Sequence, residues 1–161
     1  MSETELTFAT MADHIGKEIG LSDWQVVSQD MINGFALATL DDQWIHVDVA
    51  RATQESPFGA PVAHGYLTLS LIAGLSLKLG IVPKGTAAAL NYGLDKVRFL
   101  APVKAGQRVR LRVSLMGFEE KGPGQFLMKA GNVIEVEGSD KPAVIAETLA
   151  MLMAGRPVKG A

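Results

Sequence analysis

Ala63-His64-Gly65-Tyr66-Leu67-Thr68-Leu69-Ser70-Leu71-Ile72-Ala73-Gly74-Leu75-Ser76-Leu77-Lys78-Leu79-Gly80 is the stretch that decides how this chain folds. From Ala63 to about Leu79 it reads as a helix apolar on nearly every face, so other elements must wrap it. Gly80 stands where a helix commonly ends in a left-handed glycine. The apolar run from Gly65 to Val82 approaches the length of a membrane span. Thr68, Ser70, Ser76 and Lys78 interrupt it, and a buried core helix is the better reading. No membrane segment is expected.

What wraps the helix lies C-terminal to it. Leu90 to Phe99 reads as a strand, and Gln107 to Phe118 alternates, with Val109, Leu111, Val113 and Leu115 on one face and Arg108, Arg110, Arg112 and Ser114 on the other. Glu120-Lys121-Gly122-Pro123-Gly124 turns the chain into Phe126–Glu137, where Asn132 intrudes on the apolar phase. Ala143 to Met153 completes a fourth strand. Short turns between consecutive strands imply an antiparallel meander. The expected class is α+β, with a long central helix wrapped by a curved sheet. N-terminal to the helix, Thr10 is placed to cap a helix to about Glu18, and Trp24–Val27 is a short strand candidate. Ser28 is placed to cap a helix through about Leu40, and Asp48 another through Ala52.

At 161 residues, with 48% apolar and 20% charged residues, the chain reads as one globular domain spanning 1–161. A net charge of −2 without basic runs gives no reason to expect nucleic acid. With no cysteine, thiolate nucleophiles and Cys-based zinc sites are excluded, and three scattered histidines (His14, His46, His64) do not suggest a metal. The acidic start Met1-Ser2-Glu3-Thr4-Glu5 lacks the basic opening of a signal peptide. The expectation is a cytoplasmic protein without a cofactor.

Chemistry concentrates in Asp41-Asp42-Gln43-Trp44-Ile45-His46, where a carboxylate precedes an imidazole by five residues. Residues so spaced lie about 140° apart around a helix and on opposite faces of a strand. If they converge, the chain between them must turn. This run, with Ser56-Pro57-Phe58-Gly59, Ala63-His64-Gly65-Tyr66-Leu67, Asn91-Tyr92-Gly93-Leu94-Asp95-Lys96-Val97-Arg98-Phe99 and Ala101-Pro102-Val103, resembles the MaoC-like (R)-specific enoyl-CoA hydratases, in their nodulation-protein-N-like branch. The resemblance spans nearly the whole chain. It implies a hotdog fold, a homodimer, and hydration of trans-2-enoyl thioesters of CoA or acyl carrier protein to (R)-3-hydroxyacyl thioesters.

The family's hallmark is Asp-x-Asn-Pro-x-His, and the resemblance puts Asp41 and His46 on its two catalytic positions. Gln43 and Trp44 replace the usual Asn and Pro, which removes a fixed φ, so the turn must be held in another way. Adding water across a conjugated double bond needs a base at C3 and an acid at C2, and the two residues holding one water would supply both. Charge developing on the thioester oxygen needs a donor, and the Gly65 N–H at a helix start is the candidate, with Gln43 a weaker one. Arg98 is a candidate for a CoA phosphate. His64 reads as structural, fixing the loop or the helix start, and the Arg108–Arg110–Arg112 row as a wetted sheet face. Two other readings stay open: a hotdog thioesterase, disfavoured because no Asp or Glu lies between Ala63 and Leu79, and a non-catalytic acyl-thioester binding subunit.

Overall fold

A computed structural model describes residues 6–155; the acidic Met1–Glu5 segment lies outside them. The elements are a 3₁₀ turn (Met11–His14), β1 (Glu18–Leu21), β2 (Gln25–Val26), α1 (Gln29–Thr39), α2 (Trp44–Val47), α3 (Val49–Glu55), α4 (Gly65–Leu79), β3 (Thr86–Phe99), β4 (Arg108–Gly122), β5 (Gln125–Val136) and β6 (Val144–Ala154). The strands form one antiparallel sheet in the order β1-β4-β5-β6-β3, with β2 also on β4. This is the expected α+β hotdog arrangement, a long helix laid against a sheet.

Helix boundaries follow the caps. The Ser28 side chain accepts from the Met31 N–H and Asp48 from the Arg51 N–H, each relieving an orphan donor of a first turn. Gly80 ends α4 at φ 63. The helix after Asp48 runs to Glu55, three residues beyond the expected end. The helix expected from Thr10 to Glu18 is a single 3₁₀ turn instead. Gly16, at φ 83, donates its N–H to the Leu115 carbonyl, and Leu115 donates back to Lys17. The sheet thus claims the backbone that a longer helix would have used, and β1 follows at once.

The alternation of β4 holds: Val109, Leu111, Val113 and Leu115 are fully buried, each worth about 1.5–3 kcal/mol of apolar burial. Their polar neighbours stay outside, where Arg108 pairs with Glu137, Arg110 and Arg112 share Glu135, and Arg112 reaches Glu18. Arg110 also lies over the Trp24 ring at 4.5 Å. Asn132, the intrusion on β5, is buried and donates to the Ala130 carbonyl and the Thr148 hydroxyl, both at 2.9 Å.

Two expectations are corrected. The meander covers only β4–β6, because β3 crosses to the far side of β6. The helix α4 is also not enclosed: Leu67, Thr68, Ile72 and Leu75 are buried against the sheet, while Tyr66 and Leu77 are 68% and 78% exposed. Exposed Leu90, Tyr92 and Leu94 on the edge strand β3 add to the open apolar surface. Among the described residues, no helix is long and apolar enough to cross a membrane.

Candidate active site

The turn between Asp41 and His46 begins with Leu40, which takes a left-handed φ of 64 at the end of α1. That conformation costs a non-glycine residue about 1–2 kcal/mol, and it sends the chain back toward the start of α4. His46 then sits on the single turn α2, where its N–H bonds the Gln43 carbonyl at 2.9 Å. Gln43 therefore contributes its backbone, and its exposed side chain makes no cap. Trp44, in the place of the usual proline, is half-buried and covered by the Arg51 guanidinium at 4.2 Å. A cation–π contact thus braces a turn that lacks a ring-fixed φ.

His46 is held from two sides. The Gln29 side chain of α1 donates to its carbonyl at 2.7 Å. Its ring Nδ1 lies 2.6 Å from the Val62 carbonyl. A carbonyl only accepts, so Nδ1 carries the hydrogen and Nε2 keeps a free lone pair. Burial pushes the His46 pKa below its ordinary value; the Val62 bond opposes this, the adjoining His64 adds to it, and the Asp41 charge opposes it. The imidazole is a neutral base at neutral pH.

His64, the residue before α4, completes the group. Its Nε2–H donates to the Asp41 backbone carbonyl at 2.9 Å, and Asp41 Oδ2 is 4.0 Å from the same nitrogen. The His46 and His64 rings stack, with centroids 3.8 Å apart and planes 27° from parallel. Phe35 of α1 approaches the His64 ring at 5.0 Å. Asp41, His46 and His64 each bring one polar atom to within 4.8 Å of the others, spacing that would suit a cation. Stacked rings aim their in-plane lone pairs side by side, whereas zinc needs them to converge at about 2.0–2.1 Å.

Gly65 opens α4 directly after His64, and the first N–H groups of a helix have no acceptor within it. It lines a cavity of about 260 Å³ whose other walls include Ala63, Thr68, Phe99, Val103 and Val144. A side chain here would meet the Phe99 ring, since a Cβ built on Gly65 lies 3.0 Å from Phe99 Cδ1. Arg98 lies on β3 next to Phe99, exposed, with its guanidinium on the Val97 carbonyl at 2.7 Å. The structure therefore gathers Asp41 and His46 with His64, places Gly65 directly after His64 at a cavity whose lining includes none of those three, and leaves Arg98 on the outer edge strand. The sequence reasoning missed Gln29, for which no local signal exists. It read His64 as structural, fixing the loop or the helix start, and the Nε2–H bond to the Asp41 carbonyl is such a contact.

Residues 10–137 match the MaoC like domain family. The chain is 46% identical over 151 residues to 3-hydroxyacyl-thioester dehydratase Z of Mycobacterium tuberculosis, covering 92% of this chain and 99% of that protein. It is 40% identical over 148 residues to nodulation protein N of Rhizobium leguminosarum bv. viciae, covering 92% of each. Among solved structures, the (R)-hydratase from A. caviae involved in PHA biosynthesis superposes with a TM-score of 0.67 at 25% identity, over 84% of this chain and 94% of that one. The family match over residues 10–137 and the agreement with relatives along nearly the full length mean that this chain belongs to the MaoC-like dehydratase domain family.

Proposed function

We propose that the chain, as a single hotdog domain, is an (R)-specific hydratase and dehydratase of 2-enoyl thioesters. The observation that carries this reading is a His46 ring nitrogen gathered to within 4.8 Å of the Asp41 carboxylate and His64, with the Nδ1 hydrogen held by the Val62 carbonyl so that Nε2 keeps its lone pair. One water held between Asp41 and His46 loses a proton to His46 Nε2 as its oxygen bonds to C3. The C2–C3 π electrons move toward the thioester, and the negative charge on its oxygen is met by the Gly65 N–H. C2 then takes the proton back from the imidazolium, so the enzyme returns to its starting state. Positioned acid–base groups typically give about 10²- to 10⁴-fold, and one oxyanion donor about 3–4 kcal/mol. Gln43 is offered as a secondary donor and Arg98, which pairs with no carboxylate among the described residues, as a phosphate contact.

The test is incubation with crotonyl-CoA. Loss of the enoyl-thioester absorbance, with (R)-3-hydroxybutyryl-CoA as product, is expected, and Asp41→Asn should abolish it without changing the fold. Release of free CoA thiol instead would favour a thioesterase; α4 carries no Asp or Glu to activate water for that chemistry. Tight binding without turnover would favour an acyl-thioester binding subunit.

The homodimer reading is supported by the long edge strand β3, by Leu90, Tyr92 and Leu94 exposed on it, and by the open face of α4. Edge strands that carry apolar residues in the open invite pairing. Sedimentation should give a dimer at micromolar concentration, and a monomer there would count against it.

A further inference from the structure

We propose that His64 is a positioning residue for the Asp41–His46 pair, its Nε2–H fixing the Asp41 backbone and its ring face seating the His46 imidazole. This deepens the hydration reading and rests on it for its effect on turnover. A histidine kept only for packing would be expected to satisfy both ring nitrogens, since a buried polar atom left unpaired costs about 1–3 kcal/mol. His64 is 2% exposed, yet its Nδ1 has no hydrogen-bond partner among the described residues. Because Nε2 must carry the hydrogen it gives to Asp41, Nδ1 is a bare buried lone pair. The tautomer is thus set by the service to Asp41, at the expense of the other nitrogen.

The stack has a second consequence. The His64 ring, its centroid 3.8 Å away, adds to the burial that pushes the His46 pKa below its ordinary value. Asp41 and His64 are the titratable groups facing His46 among the described residues; the Val62 carbonyl and the Gln29 amide that also hold it are uncharged. His64 therefore holds Asp41 in register and adds to the burial that disfavours a proton on His46.

Two substitutions separate these services. His64→Gln keeps an N–H donor near the Nε2 position and removes the ring, while His64→Phe keeps an aromatic face and removes the donor. Turnover of crotonyl-CoA and the ¹⁵N titration of the His46 ring are measured for both. His64→Phe should lower kcat by about 10²-fold at unchanged KM, the scale of a small misplacement of reacting groups, and His64→Gln should recover much of that loss. In both variants the His46 titration should move upward. Wild-type kcat with an unmoved His46 titration overturns the proposal, as does a loss confined to KM. Should His64→Phe fail to fold by circular dichroism, His64→Gln alone decides on the His46 titration. A wild-type protein inert to enoyl thioesters would sink the hydration reading, and the titration would still decide the role of His64.

Discussion

Replacing His46 with asparagine separates its two jobs. The Asn side-chain nitrogen takes the position of Nδ1, so the hydrogen bond to the Val62 carbonyl at 2.6 Å can persist. The Nε2 lone pair disappears. If that atom takes the proton from water, His46→Asn should lose about 10²- to 10⁴-fold in kcat, the typical share of a positioned acid–base group. His46→Ala should lose as much activity and also strand the buried Val62 carbonyl, which costs about 1–3 kcal/mol. The alanine variant should therefore melt below the asparagine variant by about 2–4 °C for each kcal/mol in a chain of this size. Enoyl-thioester loss gives the first quantity and urea or thermal unfolding the second. Turnover of His46→Asn within tenfold of wild type would refute Nε2 as the base. Equal stability of the two variants would refute the weight given to the Val62 bond.

Three further outcomes are expected. The folded His46 binds its proton below its ordinary 6.5, so the unfolded chain takes it up first; the stability His46 provides is full above 6.5 and drains as pH falls from there through the folded value. Glu135, held down chiefly by Arg112, adds stability that is present above 4.5 and lost as pH falls through its own folded value, so urea melts should show an acid-side decline in two stages. Leu40→Gly should leave the fold unharmed and raise stability by up to about 1 kcal/mol, because the left-handed strain is relieved while glycine's greater freedom in the unfolded chain takes part of it back; a fall in unfolding midpoint would contradict this. Gly65→Ala should push the Phe99 ring by a few tenths of an ångström and narrow the approach to the N–H, lowering kcat with little change in melting; unchanged turnover would remove Gly65 from the site.

What was legible in the sequence was what depends on neighbours within a turn or a strand. Ser28, Asp48 and Gly80 marked helix ends because a cap acts over three or four residues. Val109 to Leu115 declared a half-buried strand because side chains alternate at a period of two. The spacing of Asp41 and His46 said that they would meet only across a turn, and the strained Leu40 with the one-turn α2 supplies it.

Only the tertiary structure decided the rest. The pairing of β3 with β6 follows from a crossover that no local pattern encodes, and the bonds joining Gly16 and Lys17 to Leu115 cut short the helix that Thr10 was placed to cap. The tautomer of His46 depends on the Val62 carbonyl, 16 residues away, and the stack depends on His64 arriving by way of its bond to Asp41, 23 residues distant. Periodicity and capping report forces along the chain; the protonation and seating of a base report which distant groups the fold brings against it.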